Sequence, residues 1–187
     1  YRICSEDIAH IVHAAQTRGL HIHGYTDTEI VCLGMNPELA FYTRRIHMPL
    51  KCVEDIAAAL PDGCFKLQAI HLTDKSILED FRLSLLDFCG DRIQMIFSNE
   101  QYLEILPAGA GKGNALRFIA DFLHVPLSRT FACGDAENDI SMLQAAGTGI
   151  AMANAPETVK KAALIVTSKS NDEDGLLEIL ERYFLLP

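Results

Sequence analysis

The sequence predicts an α/β protein built from two parts. From residue 107 onward, short apolar runs alternate with amphipathic helical segments, an order typical of a parallel, doubly wound, Rossmann-like sheet. Before that point, strands with alternating apolar and polar residues favour an antiparallel sheet with helices packed on it. The 187 residues are 49% hydrophobic and 22% charged, as expected for a globular chain. We therefore predict two domains, 1–106 and 107–187.

The first part begins with an amphipathic helix over 5–18, in which Ser5 is a candidate cap. Two short strands around the turn at 26–28 predict a hairpin. Pro37 lies at the start of a further helix, and Pro49 ends it. The remaining predicted elements are an extended piece at 50–53, a strand at 65–72, a helix at 77–90, and strands at 92–97 and 102–106.

The second part follows a regular alternation of helix and strand. Its predicted elements are a helix at 113–124, a strand at 130–134, a helix at 137–145, a strand at 148–152, a helix at 156–162, a strand at 164–167 and a helix at 173–184. Ligands of such sheets bind beyond the carboxyl ends of the strands, so the residues that follow each strand are the candidates for a site.

A Gly-Asp pair follows the apolar run 130–133. Asp135 falls at the carboxyl end of this strand, and Asp139 lies in the first turn of the next helix. Residues four apart on a helix can bring their side chains together. Converging carboxylates repel each other unless they are protonated or a cation bridges them, and magnesium prefers such hard oxygen ligands. A structural interpretation is also open, in which Asp135 caps the helix and the acids complement its dipole.

A single lysine opens the helix 113–124. Lys112 follows the glycine-rich run 108–111, where its charge opposes the positive end of the helix dipole. This position is favourable if the ammonium and the first N–H groups face an anion such as phosphate. A solvated lysine at a loop end is the alternative. A nucleotide P-loop fits poorly, since Leu106 and Gly113 stand where that motif needs a glycine and a Ser or Thr.

These motifs resemble the second half of a haloacid dehalogenase superfamily phosphatase. The resemblance rests on Lys112, then GDAENDISML, AGTGIAMANAPETVKKAA and finally NDEDGL, and it covers about residues 97–180. The Cof-type branch, which carries a large α/β cap, is the most similar. The resemblance implies that 1–106 is the cap and that 107–187 is the carboxyl-terminal half of the core.

The resemblance also implies roles for individual residues. Lys112 would steady the transferring phosphoryl group, and Asp135 and Asp139 would hold Mg²⁺. Asn138, and Asn154 after the strand 148–152, would support the phosphate or the metal from one shell further out. Asn154 is equally well interpreted as a turn residue. Ser98 and Asn99 are weaker candidates for substrate contact, and a plain turn is the alternative there.

The chain departs from the family pattern in one respect. The family nucleophile lies in an Asp-x-Asp motif on the first strand of the core, and no such motif precedes the cap in this sequence. We therefore expect the sequence to be a fragment that lacks the chemical step by itself. The core strand ending at Gly134 would then have an exposed edge, which favours self-association.

Composition limits the partners. A net charge of −9 argues against a nucleic-acid or anionic membrane surface, and no apolar stretch is long enough for a membrane span. Six cysteines without metal-type spacing predict free thiols and a cytoplasmic location. A metal pair at His21 and His23, or at His10 and His13, lacks a third ligand nearby. No secretory signal pattern is present.

The sequence thus predicts a magnesium-dependent phosphomonoester hydrolase that acts on a small phosphorylated metabolite, similar to a sugar phosphate. The resemblance implies attack by an aspartate to form an aspartyl-phosphate, which water hydrolyses. A non-catalytic binding or scaffold module derived from such a protein, and a phosphomutase, are the alternatives.

Overall fold

A computed structural model describes residues 1–185. The chain divides into two compact units, Tyr1–Gly109 and a second unit that begins at Ala110. The α/β class predicted from the sequence is confirmed. The assignment of 1–106 as a cap and 107–187 as half of a core stays a prediction.

The first unit is a six-stranded sheet with three helices. The sheet order is β3-β2-β1-β4-β6-β5. Neighbouring strands are antiparallel except β2 and β3, which are parallel, so the predicted antiparallel sheet carries one parallel edge. The elements are α1 (Ser5–Gln16), β1 (His21–Tyr25), β2 (Ile30–Cys32), α2 (Pro37–Thr43), β3 (Leu50–Cys52), β4 (Lys66–Ile70), α3 (Lys75–Cys89), β5 (Ile93–Asn99) and β6 (Tyr102–Pro107).

Strand alternation divides the apolar residues of this unit between the two faces of the sheet. One face packs on α1 and α3, where Ile8, Phe81 and Leu85 are fully buried. Such an arrangement follows from the apolar stripe of each helix. The other face is covered by α2 through Leu39 and Tyr42.

The helix α2 begins with a side-chain cap. Asn36 Oδ1 accepts a hydrogen bond from the Leu39 N–H at 2.9 Å, and Pro37 takes the first helical position. The Asn36 amide nitrogen also lies 2.9 Å from His21 Nδ1, which ties the start of α2 to β1.

The face of the sheet under α2 is unusually polar. His23 is fully buried there, and its Nε2 has no hydrogen-bond partner within the described residues. The cross-strand neighbour of His23 is Gln68, whose buried Oε1 is also unpartnered within residues 1–185. Lys66 and Glu104 form an ion pair of 3.7 Å on the same face. Buried polar groups of this kind cost stability unless they are satisfied.

The second unit is a three-stranded parallel sheet with the order β7-β8-β9. Its elements are α4 (Lys112–Phe122), β7 (Phe131–Gly134), α5 (Ile140–Ala145), β8 (Thr148–Ala151), α6 (Glu157–Lys160), β9 (Ile165–Val166) and α7 (Gly175–Leu180). The predicted alternation of helix and strand is confirmed. The sequence overestimated the helix at 137–145, since Glu137–Asp139 forms a 3-10 turn before α5.

The longest helix in residues 1–185 is α3, and no helix in that range has both the length and the apolar character that crossing a membrane requires.

Candidate phosphate and metal site

Lys112 is the first residue of α4. The preceding Gly111 has φ 141° and ψ 161°, a backbone conformation that essentially requires glycine, so the glycine-rich loop sets where the helix starts. The Lys112 side chain is half-exposed, and its Nζ donates a hydrogen bond to Asp139 Oδ1. The same ammonium lies 3.4 Å from Asn138 Oδ1. The predicted helix opening by Lys112 is confirmed, and its charge is directed to the turn after β7.

Asp139 is the hub of that turn. Its side chain is buried, and its Oδ2 accepts the backbone N–H groups of Asp135 at 3.0 Å and Ala136 at 3.1 Å. The other oxygen accepts from Lys112. Both oxygens of the Asp139 carboxylate are therefore engaged, and this satisfies a buried charge that would otherwise be costly.

Gly134 allows this close approach. A Cβ at this position would collide with the side chain of Asp139. The glycine of the Gly-Asp pair is thus needed for contact between strand and turn, in addition to ending β7.

Asp135 lies at the carboxyl end of β7, as predicted. Its Oδ2 accepts a hydrogen bond from Asn154 Nδ2 at 3.2 Å, and its Oδ1 has no hydrogen-bond partner within the described part of the chain. Helix capping by Asp135 is not observed, because its carboxylate contacts Asn154 and the cap position is Ala136. One carboxylate oxygen is therefore left to face solvent or a ligand.

Asn154 connects the loops that follow the parallel strands. It lies beyond the end of β8, donates to Asp135, and accepts the Asn171 N–H at 3.0 Å through its Oδ1. The sequence pattern placed Asn154 at a strand end but did not indicate which groups it would bind. The acidic loop at 171–174 supplies one of these partners.

Ser141 was missed by sequence reasoning. Its hydroxyl accepts the Gly113 N–H at 3.1 Å, so one of the early N–H groups of α4 already has a partner inside the protein. Gly113 is buried against the backbone of Ser141, where a Cβ would not fit. A serine in a polar helical turn gives no distinctive pattern, so this contact was recognisable only from the structure.

Ser98 and Asn99 belong to the first unit. Asn99 Oδ1 accepts the Gln101 N–H at 2.8 Å, which is a local turn contact at an irregularity in the pairing of β5 with β6. A cavity of about 330 Å³ lies at this end of the sheet, with Asn99 and His71 in its wall.

The two histidines of β1 bind each other. His21 Nε2 lies 2.9 Å from His23 Nδ1, and burial lowers the pKa of both rings, that of His21 to about 4. Within residues 1–185, no three His, Cys, Asp or Glu side chains are grouped as a metal site.

The residues at the end of β7 fit one mode of magnesium binding. Mg²⁺ commonly takes one or two protein carboxylates and completes its shell with water and substrate phosphate. Asp135, with one available oxygen, fits such a ligand. Asp139, whose oxygens bind an ammonium and two N–H groups, fits better as a support for the turn.

Comparison with known proteins identifies the class to which this fold and site belong. The profile of the haloacid dehalogenase-like hydrolases matches residues 1–180. The chain belongs to this family. A solved structure of a haloacid dehalogenase-like hydrolase from Bacteroides thetaiotaomicron superposes with a TM-score of 0.79 at 29% sequence identity, covering 98% of this chain and 68% of that one.

Relatives with more specific names align with about half of the chain. The 5-amino-6-(5-phospho-D-ribitylamino)uracil phosphatase YwtE of Bacillus subtilis is 42% identical over 85 residues, which is 46% of this chain and 29% of that protein. The phosphoglycolate phosphatase of Archaeoglobus fulgidus is 40% identical over 97 residues, covering 52% and 43% respectively. The matched part of this chain spans less than half the length of either relative.

Proposed function

We propose that this chain provides the phosphate- and metal-binding part of a magnesium-dependent phosphomonoester hydrolase. The observation that carries the proposal is the hydrogen-bonded series at the ends of β7 and β8, in which Lys112 binds Asp139, Asp139 binds the backbone of Asp135, and Asp135 binds Asn154. These contacts group a cation, a carboxylate with a free oxygen and fixed amide groups at the carboxyl ends of the parallel strands.

Lys112 stabilises the transferring phosphoryl group in this proposal. Charge accumulates on the phosphoryl oxygens during transfer, and a fixed ammonium near them lowers the barrier. Asp139 acts as a positioning residue, since its buried carboxylate fixes both the ammonium and the turn that bears Asp135. Asn138 is a second contact of the ammonium.

Asp135 is the direct protein ligand for Mg²⁺ in this chain. When bound, the ion would neutralise charge on the phosphoryl oxygens. Asn154 orients the carboxylate of Asp135 through its amide nitrogen. Asp139, the second metal ligand predicted from the sequence, is proposed to support the site from behind Asp135.

The nucleophilic aspartate is proposed to come from residues outside Tyr1–Pro187. It would attack phosphorus and expel the alcohol, and water would then hydrolyse the aspartyl-phosphate. The acids near the beginning of this sequence do not follow an apolar strand: Asp7 lies buried in α1 and pairs with Arg92 at 2.8 Å.

The substrate is proposed to be a small phosphorylated metabolite similar to a sugar phosphate. The printed names of two relatives, a phosphoribitylamino-uracil phosphatase and a phosphoglycolate phosphatase, support this size and class. Six free cysteines in the structure support a reducing, cytoplasmic location. We also propose self-association through β7, which is an edge strand of the three-stranded sheet within the described residues.

Substitutions in the complete gene product that includes these residues test the assignment. Asp135→Ala and Lys112→Ala should each reduce hydrolysis of an aryl phosphate at least ~100-fold, as loss of one preorganised charge contact does in other enzymes. Asp121→Ala and Lys161→Ala are matched controls, because they remove the same charges from exposed positions of the second unit. Wild-type rates in either site variant would contradict the proposal.

Magnesium binding gives a readout that is independent of catalysis. Calorimetric titration with Mg²⁺ should give a binding isotherm for the complete protein and none for Asp135→Asn. Binding of Mg²⁺ and phosphate without turnover by the unmodified protein would favour the binding-module alternative. Transfer of the phosphoryl group to a second sugar hydroxyl, followed by ³¹P NMR, would favour the phosphomutase.

A further inference from the structure

Two cysteines face each other across the parallel edge of the first unit. Cys32 of β2 is in register with Cys52 of β3, and their sulfur atoms are 3.9 Å apart. Directly paired residues of adjacent strands project to the same face, and their Cα atoms lie about 4.8 Å apart across the two strands. That separation is within the range that disulfides span. Closure of a bond needs only a small movement of the two side chains.

The two thiols differ in access. Cys52 is exposed, whereas Cys32 is fully buried and contacts the Lys51 carbonyl weakly at 3.8 Å. Burial raises the pKa of the Cys32 thiol to about 11. A reagent in solution therefore meets Cys52 first, and Cys32 is already in place to react with the product.

We propose that Cys32 and Cys52 form a reversible disulfide, with a low-molecular-weight disulfide such as oxidised glutathione as the oxidant. The Cys52 thiolate attacks one sulfur of the oxidant and expels a glutathione thiolate, which leaves a mixed disulfide on Cys52. The deprotonated Cys32 then attacks the Cys52 sulfur and expels the second glutathione. Two protein thiols are oxidised by two electrons, and one oxidised glutathione becomes two thiols, which take up the two protons.

The disulfide would join the two ends of the segment that carries α2. This segment runs from β2 to β3, and its residues Leu39 and Tyr42 cover the polar face of the sheet. The strand β3 has only three residues and pairs with β2 alone in residues 1–185. A covalent link at Cys52 would restrict the unfolded chain and hold this short edge strand in register.

Peptide mapping of the complete gene product tests the link. The protein is incubated with oxidised glutathione, alkylated, and digested with trypsin and a glutamate-specific protease. Cleavage at Glu29, Glu38, Lys51 and Glu54 separates Cys52 from Cys64, so the expected product joins residues 30–38 to 52–54 with the loss of two hydrogen atoms. Dithiothreitol should reduce this disulfide and release the two peptides. The oxidised protein should also have a higher melting temperature than the reduced protein.

Cysteine variants distinguish the Cys32–Cys52 disulfide from general thiol oxidation. Cys4→Ser, which changes another exposed cysteine, should still form the link and show the same shift in melting temperature. Cys52→Ser should abolish both the disulfide and the shift in melting temperature. Cys32→Ala should leave Cys52 as a glutathione adduct that does not resolve. The proposal is overturned if Cys52 of the unmodified protein is found only as that adduct, joined to Cys64, or unchanged.

Discussion

The two units of this protein achieve close packing in opposite ways. The first unit buries large side chains, with Phe81, Leu85 and Leu103 fully inaccessible. The second unit has a core cluster of mostly small residues, such as Ala132, Ala151 and Ala155. There the chain approaches itself through glycines, and large apolar side chains remain exposed on α4.

The two units differ in whether side chains or the main chain make their closest contacts. In the first unit, large buried side chains fill the space between the sheet and its helices, and this close packing stabilises the whole unit. In the second unit, Gly113 contacts the backbone of Ser141 and Gly134 contacts Asp139, so the loops that bear the candidate site are fixed by close main-chain approach. Interior volume therefore matters most in one unit, and the absence of a Cβ matters most in the other.

Two phenylalanines provide the largest test of this contrast. Phe81→Ala should lower the free energy of unfolding by about 3–5 kcal/mol, because it removes a fully buried ring. Phe118→Ala should change it by less than about 0.5 kcal/mol, since that ring is 71% exposed. Urea denaturation followed by circular dichroism measures both values.

The Phe118 variant can also show whether another surface covers α4. A large loss of stability on Phe118→Ala, together with a concentration-dependent sedimentation coefficient for the unmodified chain, would mean that the exposed apolar side chains are buried in an assembly. A monomer at all concentrations would refute the proposed self-association through β7.

Two glycines test the second half of the contrast. Gly113→Ala should destabilise by about 1–3 kcal/mol, because the added methyl group would meet the rigid backbone of Ser141. Gly24→Ala in β1 is the matched change, and its methyl group would meet the end of the flexible Leu60 side chain at 2.8 Å. We expect it to cost less than Gly113→Ala, because the end of the Leu60 side chain can move and the Ser141 backbone cannot. Equal losses in thermal denaturation would remove the distinction.

Mild acid should destabilise the first unit through His21 on its polar face, and this is the smallest of these effects. Burial, opposed by nearby Glu38, lowers the pKa of His21 to about 4. The unfolded chain takes up a proton near the ordinary pKa of about 6.5, so stability falls as the pH drops from about 6.5 toward 4. His21→Gln should reduce this loss by about 1 kcal/mol between pH 7 and 5. An unchanged pH slope in His21→Gln would exclude this role.

Local chemistry made much of the second unit predictable. The glycine-rich run before Lys112, the Gly-Asp pair and Asn154 each lie at the boundary of a short, strongly patterned element. Parallel strands bring such boundaries to one edge, so sequence order was sufficient to group them. The partners of Asp139 were not predictable, because a buried carboxylate that binds both an ammonium and a turn depends on distances between segments.

The polar face of the first unit was less accessible to sequence reasoning. His21 and His23 lie two residues apart in a predicted strand, but the position of α2 above them depends on tertiary packing. The parallel docking of β3 against β2, which pairs Cys32 with Cys52, is likewise a long-range contact. Neither residue spacing nor strand propensity contains that information.

Asn154 has a consequence for how the candidate site can move. One side-chain amide bridges the segments that follow all three parallel strands, through Asp135 on one side and the Asn171 N–H on the other. Displacement of any one segment must either carry the others with it or break a hydrogen bond. The segments around the candidate site are therefore mechanically coupled. A ligand that restrains one of these segments will also restrain the others.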